Sequence, residues 1–305
     1  MDDKLRVFCT VADLRSFSKA SDVIHLTQPA VSSQIQVLED IYDTKLFERT
    51  TSSVILTASG EILYEYAKKI LSLYSDAEKT ICKLTGVVKG SIKIGATSLV
   101  GHYMLTSMLA DYKKISPKLK IFLRFGNSKR VIEMMNTGAI DLGFVEGRVK
   151  GYKITADKLC TDELFLIVPV WHPFAKFDDI SIEKVLRETF IIREDVSSAG
   201  KLVEEFFFKC RVNMQSLKIF MVSESIEAIK NAIHEGLGVS FLSKLAVKKE
   251  ILDGQFKALR IKKNKITQDI SVIYGKKNNA SYMVEDFLAF AMSYNYEGIF
   301  GEMLP

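Results

Sequence analysis

The stretch from Ser16 to Gly60 constrains the fold of this chain more than any other part of the sequence. Thr27 can cap the start of a helix through its hydroxyl, and Pro29 is tolerated in a first turn, where no intrahelical N–H bond is needed. An apolar stripe recurs at helical spacing just beyond, at Val31, Ile35 and Leu38. The sequence therefore predicts a Thr-capped helix that packs through one face.

The opposite face of this helix carries short, uncharged side chains that can form hydrogen bonds, namely Gln28, Ser32, Ser33 and Gln36. Such groups near a helix N-terminus are suited to base edges in the major groove of DNA. A preceding helix over Ser18 to Ile24 and a tight turn through His25 to Thr27 complete a helix-turn-helix pattern.

Two short strands are predicted after the helix, at Leu46 to Arg49 and at Val54 to Leu56, around a polar tip. This arrangement is typical of the wing of a winged helix, and Thr57 then caps the next helix. A first helix over Leu5 to Leu14 is expected to brace the motif. The residues expected to contact DNA are Ser18, Thr27, Gln28, Pro29, Ala30, Ser32, Ser33, Gln36, Arg49, Thr51 and Ser52.

At these positions the chain resembles the LysR-type transcriptional regulators, and the resemblance extends more loosely over the whole length. It rests mainly on Ser16–Ser18, Thr27–Ser32, Leu46–Phe47 and Leu56–Gly60. The resemblance implies that the winged helix binds promoter DNA, that a small-molecule effector controls it, and that RNA polymerase is a partner. The sequence departs from the family at the wing tip, Thr51–Ser53, which lacks arginine, and at Ser33, where many relatives carry a longer side chain.

Charge does not by itself identify a DNA-binding unit here. The chain has a net charge of +5, but residues 1–60 hold six Lys/Arg against eight Asp/Glu, a net of −2. Contacts to phosphate would then come from helix N-termini, hydroxyls, amides and a few placed cations. Weak binding by each unit also favours several DNA-binding units acting together.

A long linker helix is predicted over residues 57–86. Apolar residues recur along it in steps of three and four, at Leu63, Tyr66, Ile70, Leu73, Ala77, Ile81 and Leu84. A single apolar seam on such a helix needs a partner, so we expect a homodimer through this helix, and a tetramer formed from two such dimers. Gly86 to Gly90 is expected to form a hinge.

From Ser91 onward strands and helices alternate, which predicts an α/β unit with a mostly parallel sheet. Early elements are the strand Ile92–Gly95, the helix Leu99–Ile115 and the strand Leu119–Phe125, and a buried strand follows at Leu164–Val168. The resemblance implies a two-lobe effector domain over residues 91–305 with a periplasmic-binding-protein type II-like fold. Lobe I would comprise residues 91–163 and 268–305, and lobe II residues 164–267, with crossovers near Thr161–Pro169 and Lys265–Ile270. The N-terminal winged helix-turn-helix would occupy residues 1–60.

Polar residues follow several of the predicted strands, where ligands bind in open α/β sheets. Hydroxyls at helix starts favour a small anion, whereas Glu146 would repel an anion and instead suit an amino group or point away. The expected effector-binding residues are Thr97, Ser98, Asn127, Ser128, Glu146, Ser197, Ser198 and Ser223. The loop Ser197–Lys201 differs from the family's Ser-Gly-Thr-Arg-like run, so a guanidinium is missing there.

Other functions have less support in the sequence. A redox sensor on the same scaffold would need a cysteine pair, but Cys9, Cys82, Cys160 and Cys210 are widely spaced. Catalytic motifs such as a Walker loop, HExxH or GxSxG do not occur, and no metal site or cofactor is expected. Met1–Lys4 does not have the pattern of a signal peptide and no stretch has the length and apolar character of a membrane span, so we expect a cytoplasmic protein and not a transport receptor.

Overall fold

The computed structural model describes residues 2–24, 26–49, 54–85, 90–149, 154–194, 197–275 and 281–300. The chain divides into two compact units. The first is built mainly from residues 1–89, and the second mainly from residues 90–136 and 140–276 with the C-terminal residues from 287 onward.

Three helices form the core of the first unit: α1 (Asp2–Leu14), α2 (Phe17–Ile24) and α3 (Gln28–Tyr42). The expected cap of α3 is confirmed, since the Ala30 N–H donates to the Thr27 hydroxyl at 3.4 Å. Aromatic packing holds the helices to the wing, with the Phe47 ring 5.2 Å from that of Phe8 and 5.7 Å from that of Phe17. Three aromatic rings therefore hold α1 and α2 against the strand at Phe47.

The predicted wing strands are present as β1 (Phe47–Arg49) and β2 (Val54–Leu56), paired antiparallel. Glu39, from α3, anchors the approach to them by accepting from the Leu46 N–H at 2.9 Å and from the Lys45 ammonium at 2.7 Å. The wing tip, Thr50–Ser53, lies outside the described residues, as does the side chain of Arg49.

The linker helix α4 (Ala58–Thr85) starts as expected, with the Gly60 N–H donating to the Thr57 hydroxyl at 3.0 Å. One face packs against the core of its own unit through Leu63, Tyr64, Ala67 and Leu71. Leu63, the first residue of the predicted seam, is thus half-buried against the core of its own unit. Further along, Leu73 is 68% exposed and Leu84 is 87% exposed, so the seam itself is uncovered in a single chain. Of the predicted hinge, Gly86–Gly90, residues 86–89 lie outside the described residues, and Gly90 is the first residue of the next strand.

In the second unit, lobe I begins with three parallel strands, β3 (Gly90–Ala96), β4 (Leu119–Phe125) and β5 (Leu142–Glu146), in the order β4-β3-β5. Between β3 and β4 the predicted helix is present but is not uniformly α-helical. It runs as α5 (Ser98–Val100), a π-helical segment at Gly101–Leu105 and α6 (Thr106–Ile115). Helix α7 (Ser128–Asn136) precedes β5.

Two long antiparallel strands connect the lobes, and both are longer than predicted. The buried strand expected at Leu164–Val168 is the end of β6 (Ile154–Pro169), and the expected crossover at Lys265–Ile270 is continuous with β12 (Ile266–Gly275). The other helices and strands of the second unit, in chain order, are β7 (Asp179–Ile180), α8 (Ile182–Val185), β8 (Thr189–Arg193), α9 (Ser198–Lys209), β9 (Lys218–Ser223), α10 (Ile226–His234), β10 (Ser240–Ser243), α11 (Lys248–Leu252), β11 (Phe256–Ile261), α12 (Tyr282–Ser293), of which residues 282–286 group with the first unit, and α13 (Glu297–Phe300).

The second half of β6 changes partners, because beyond Leu164 it pairs with β10 and β11 instead of β12. Lobe II is built around this half-strand, and β8 and β9 form a parallel pair beside it. A buried carboxyl lies at the change of partners. Asp162 accepts from the Ser243 hydroxyl at 2.8 Å and from the Gln268 amide at 2.9 Å, and its side chain is fully enclosed. Strand β11 was not anticipated from the sequence.

Candidate DNA-binding helix and effector pocket

The polar face of α3 is accessible. Gln28, Ser33 and Gln36 are exposed and Ser32 is half-buried, whereas Val31, Ile35 and Leu38 on the other face are buried. This separation follows from the helical spacing of the apolar residues, which turn three side chains inward and leave hydrogen-bonding groups outside. The face could contact base edges or phosphates without any change in packing.

Some of the predicted DNA-contacting side chains already have partners within the chain. The Ser18 hydroxyl donates to the Gln28 side-chain oxygen at 3.3 Å. The Gln36 amide donates to Asp40 at 2.7 Å, and its oxygen accepts from Lys45 at 3.3 Å. These exposed contacts hold the amides in fixed orientations, which lowers the entropy lost when they bind a base. The side chains of Arg49, Thr51 and Ser52 are not among those described.

A cavity of about 260 Å³ lies in the second unit, where the ends of strands from both lobes meet. Seven of the eight predicted effector-binding residues line it. Ser223 does not, because its hydroxyl turns back to its own loop and accepts from the Ser225 N–H at 3.1 Å, and Glu224 takes its place at the cavity. The complete lining is Thr97, Ser98, Phe125, Gly126, Asn127, Ser128, Glu146, Arg193, Glu194, Ser197, Ser198 and Glu224.

Several of the lining side chains serve the fold as well as the cavity. Asn127 caps α7 by accepting from the Arg130 N–H at 2.9 Å, and Ser197 caps α9 by accepting from the Gly200 N–H at 3.0 Å. Thr97 precedes α5 but forms no such cap. Its hydroxyl instead bonds to the Glu146 carboxyl, so this hydroxyl is directed into the site.

The two lobes meet at one backbone oxygen beside the cavity. Both the Ser128 hydroxyl, at 3.1 Å, and the Ser198 hydroxyl, at 2.9 Å, donate to the carbonyl of Glu146. The two hydroxyl oxygens are themselves 3.0 Å apart. A serine of lobe II therefore closes onto lobe I, and any change in the angle between lobes would break this contact.

Arg193 is a cationic cavity residue that was not among the expected effector-binding residues; Phe125 and Glu224 were not among them either. It is the last residue of β8 and supplies the guanidinium that the Ser197–Lys201 loop lacks. Its guanidinium lies 3.6 Å from the Glu194 carboxylate, and its Nε atom is buried with no hydrogen-bond partner. The available signal was its position at a strand end, one residue before a polar loop.

Comparison with known proteins agrees with this architecture. Residues 3–61 match the bacterial regulatory helix-turn-helix protein, lysR family, and residues 85–294 match the LysR substrate binding domain. The chain belongs to the LysR family of transcriptional regulators. It is thus a DNA-binding regulator of transcription with an effector-binding domain.

Relatives of this LysR-type regulator include two probable RuBisCO transcriptional regulators. The protein from Nostoc sp. is 32% identical over 288 residues, covering 93% of this chain and 86% of the relative. The protein from Phaeodactylum tricornutum is 30% identical over 291 residues, covering 94% of each. Both alignments span the DNA-binding and the effector-binding regions.

Solved structures with the same fold include the Synechocystis CcmR regulatory domain in complex with 2-PG, with a TM-score of 0.61 and 22% identity over 70% of this chain and 99% of that one. Full-length CbnR complexed with its target DNA gives a TM-score of 0.58 and 20% identity over 95% and 98% of the two chains. A hydrogen peroxide-bound mutant of Corynebacterium glutamicum OxyR gives a TM-score of 0.61 and 21% identity, covering 96% of this chain and 91% of that one.

The described cysteines of this regulator do not resemble a peroxide-sensing pair. Cys9, Cys160 and Cys210 are free. Burial raises the pKa of the Cys9 thiol to about 11 and that of Cys160 to about 12, and it also raises the pKa of Cys210. Since the thiolate is the reactive form, these thiols are poorly suited to oxidation. The side chain of Cys82 is not described.

No helix within the described ranges combines the length and apolar character needed to cross a membrane.

Proposed function

We propose that this LysR-type regulator reads its operator through the polar face of α3, acting as a dimer joined by the linker helix α4 and assembled further into a tetramer. The observation that carries the proposal is the accessible row of Gln28, Ser32, Ser33 and Gln36 above a fully buried apolar stripe. Uncharged side chains of this kind discriminate bases through directional hydrogen bonds, while phosphate contacts position the helix.

Substitution on this face tests the reading of DNA. An operator is first selected from randomised duplexes with the full-length protein. Gln28→Ala and Ser32→Ala should each weaken binding to that operator by about 1–3 kcal/mol and relax the preference at one base position. Gln215→Ala, the same truncation at an exposed site in lobe II, serves as the control. Unchanged affinity and unchanged base preference in both α3 variants would rule out this face as the reader.

The cavity between the lobes is the proposed effector site, and a small anion is the proposed ligand class. Its lining offers hydroxyls at Thr97 and Ser98, a guanidinium at Arg193 and the starts of three helical stretches, where free N–H groups attract negative charge. Binding of 2-PG to the related CcmR domain makes 2-PG a reasonable first probe.

An effector acts on DNA by favouring one lobe arrangement over another, and it can shift that equilibrium only by its difference in affinity for the two, typically about 1–3 kcal/mol. Calorimetric titration of 2-PG into the full-length protein tests the site. Arg193→Gln should weaken an anion that binds here, and Arg187→Gln provides the same charge change elsewhere in lobe II. Equal affinity of the two variants would place the ligand outside this cavity.

RNA polymerase is the proposed protein partner of this regulator. A protein that binds promoter DNA and contacts RNA polymerase would work in the bacterial cytoplasm, and its activity would lie in binding and not in catalysis. In vitro transcription from the selected operator, with and without 2-PG, tests the polymerase contact directly. An unaltered transcript level at saturating regulator would argue against it.

A further inference from the structure

The carboxyl of Glu146 lies in an unusual setting for a site that binds anions. It stands at the carboxyl end of β5 and lines the cavity, yet only 8% of the residue is exposed. Its side chain bonds to the Thr97 hydroxyl. Among the described residues, no Lys, Arg or His lies within ion-pair distance of this carboxyl.

The charged groups around Glu146 are few and mostly negative. Arg193, Glu194 and Glu224 line the same cavity, and Asp162 on β6 interacts with Glu146 through space. Arg193 faces Glu194 at 3.6 Å, so its charge is largely compensated there. An ionised Glu146 would therefore add a buried negative charge, with no described cation in ion-pair distance, close to the carboxyls of Glu224 and Asp162.

Protonation removes this conflict. Burial raises the pKa of Glu146, outweighing the Thr97 hydrogen bond and the more distant Arg193 charge. A neutral carboxylic acid carries an O–H donor, whereas a carboxylate only accepts. In its neutral form Glu146 thus changes from a group that repels an anion into a group that can donate to it, alongside the Ser98 hydroxyl and the unpaired Arg193 Nε.

We propose that this regulator binds its anionic effector together with one proton, which is taken from solvent and held on the side chain of Glu146. The inference rests on the proposed function of the cavity and adds the protonation state in which that cavity accepts ligand. Glu146 then determines specificity, because it favours ligands that accept a hydrogen bond at this point and disfavours ligands that present an ammonium group there.

Sulfate is the probe that tests the inference most cleanly, since its charge stays constant between about pH 5 and pH 9 and any proton exchanged belongs to the protein. Sulfate is titrated calorimetrically into the full-length regulator at constant ionic strength, in buffers of low and high ionisation enthalpy. The dependence of the measured heat on the buffer gives the number of protons taken up for each sulfate bound.

For the unmodified chain, uptake should rise toward one proton per sulfate with increasing pH, and affinity should fall by up to about tenfold per pH unit. Glu146→Gln keeps the size and the hydrogen bonding of a neutral acid. It should bind sulfate without this uptake and with a flatter pH profile. Asp162→Asn is the matched control, because it neutralises the neighbouring buried carboxyl and should leave the uptake in place.

The outcomes separate the two proposals. Sulfate binding with equal proton uptake in the unmodified chain and in Glu146→Gln overturns the role of Glu146 while leaving the anion site intact. Binding by the unmodified chain without proton uptake at any pH overturns it as well, even if the variant does not fold. The anion site itself is overturned if sulfate binds neither protein at any pH. It is also overturned if every cavity variant, including Arg193→Gln, binds sulfate as well as the unmodified chain.

Discussion

Asp162 should make the stability of the effector-binding unit depend on pH near neutrality. Its carboxyl is fully enclosed where β6 changes partners, and burial raises its pKa from 3.8 to about 7 despite the Ser243 and Gln268 hydrogen bonds. The Gln268 side-chain oxygen has no partner. Turning that amide over would let it accept from a protonated Asp162, which gives the neutral acid an added hydrogen bond.

The raised pKa of Asp162 determines the direction in which stability changes with pH. A carboxyl that holds its proton more tightly when folded stabilises the fold fully below pH 3.8, and this contribution is lost as the pH rises through about 7. With one pKa unit equal to about 1.4 kcal/mol, the loss between about pH 5 and pH 8 comes to roughly 2–3 kcal/mol. Asp162→Asn is neutral at every pH and should not show this loss.

Urea unfolding of the full-length protein at several pH values, followed by far-ultraviolet circular dichroism, measures the effect. The transition of the effector-binding unit should move to lower urea between about pH 5 and pH 8 in the unmodified chain, by roughly 1–3 M for a slope of about 1–3 kcal/mol/M. In Asp162→Asn the shift should be smaller by nearly that amount. Parallel pH profiles for the two proteins would refute the assignment of a raised pKa to Asp162.

Two further predictions concern dimerisation and the contact between lobes. Leu73→Ala removes an exposed seam residue, so the dimer should weaken by about 1–2 kcal/mol for each copy, or roughly 30- to 1000-fold in Kd for both copies. Sedimentation equilibrium measures this Kd, and Glu65→Ala, off the seam, should leave it unchanged. Tyr103→Phe removes the hydroxyl that donates to Glu227 of α10 at 2.5 Å, and it should lower the urea midpoint of the effector-binding unit by the equivalent of about 1 kcal/mol. Tyr42→Phe, at an exposed site in the first unit, should leave that midpoint unchanged. If Tyr103→Phe also leaves the midpoint unchanged, the two lobes are not held together by this contact.

The helix-turn-helix could be predicted closely because it depends on interactions between residues near one another in sequence. The Thr27 cap, the 3–4 spacing of Val31, Ile35 and Leu38, and the Thr57 cap each act within one or two helical turns. The same reasoning located most of the strands and helices of the second unit, since hydrophobic periodicity reports which face of an element is buried.

Properties that depend on distant partners could not be predicted in this way. Leu63 belongs to the linker seam by spacing, but it packs partly against the core of its own unit. Strand β11 has no strong signal of its own and exists because the second half of β6 offers it an unpaired edge. In each case the deciding contact comes from a residue remote in the chain.

In the effector cavity, too, some features could be predicted from local sequence and others depend on distant residues. Polar residues after successive strands were enough to bring Thr97, Ser98 and Ser198 to one site, because the ends of parallel strands converge at one edge of a sheet. The sequence by itself thus determined which groups could meet. Tertiary structure alone decided that Arg193 joins them, that Ser223 turns away, and that Glu146 is buried with no cation of the described residues in ion-pair distance. Burial and charge compensation are set by side chains that approach from another lobe.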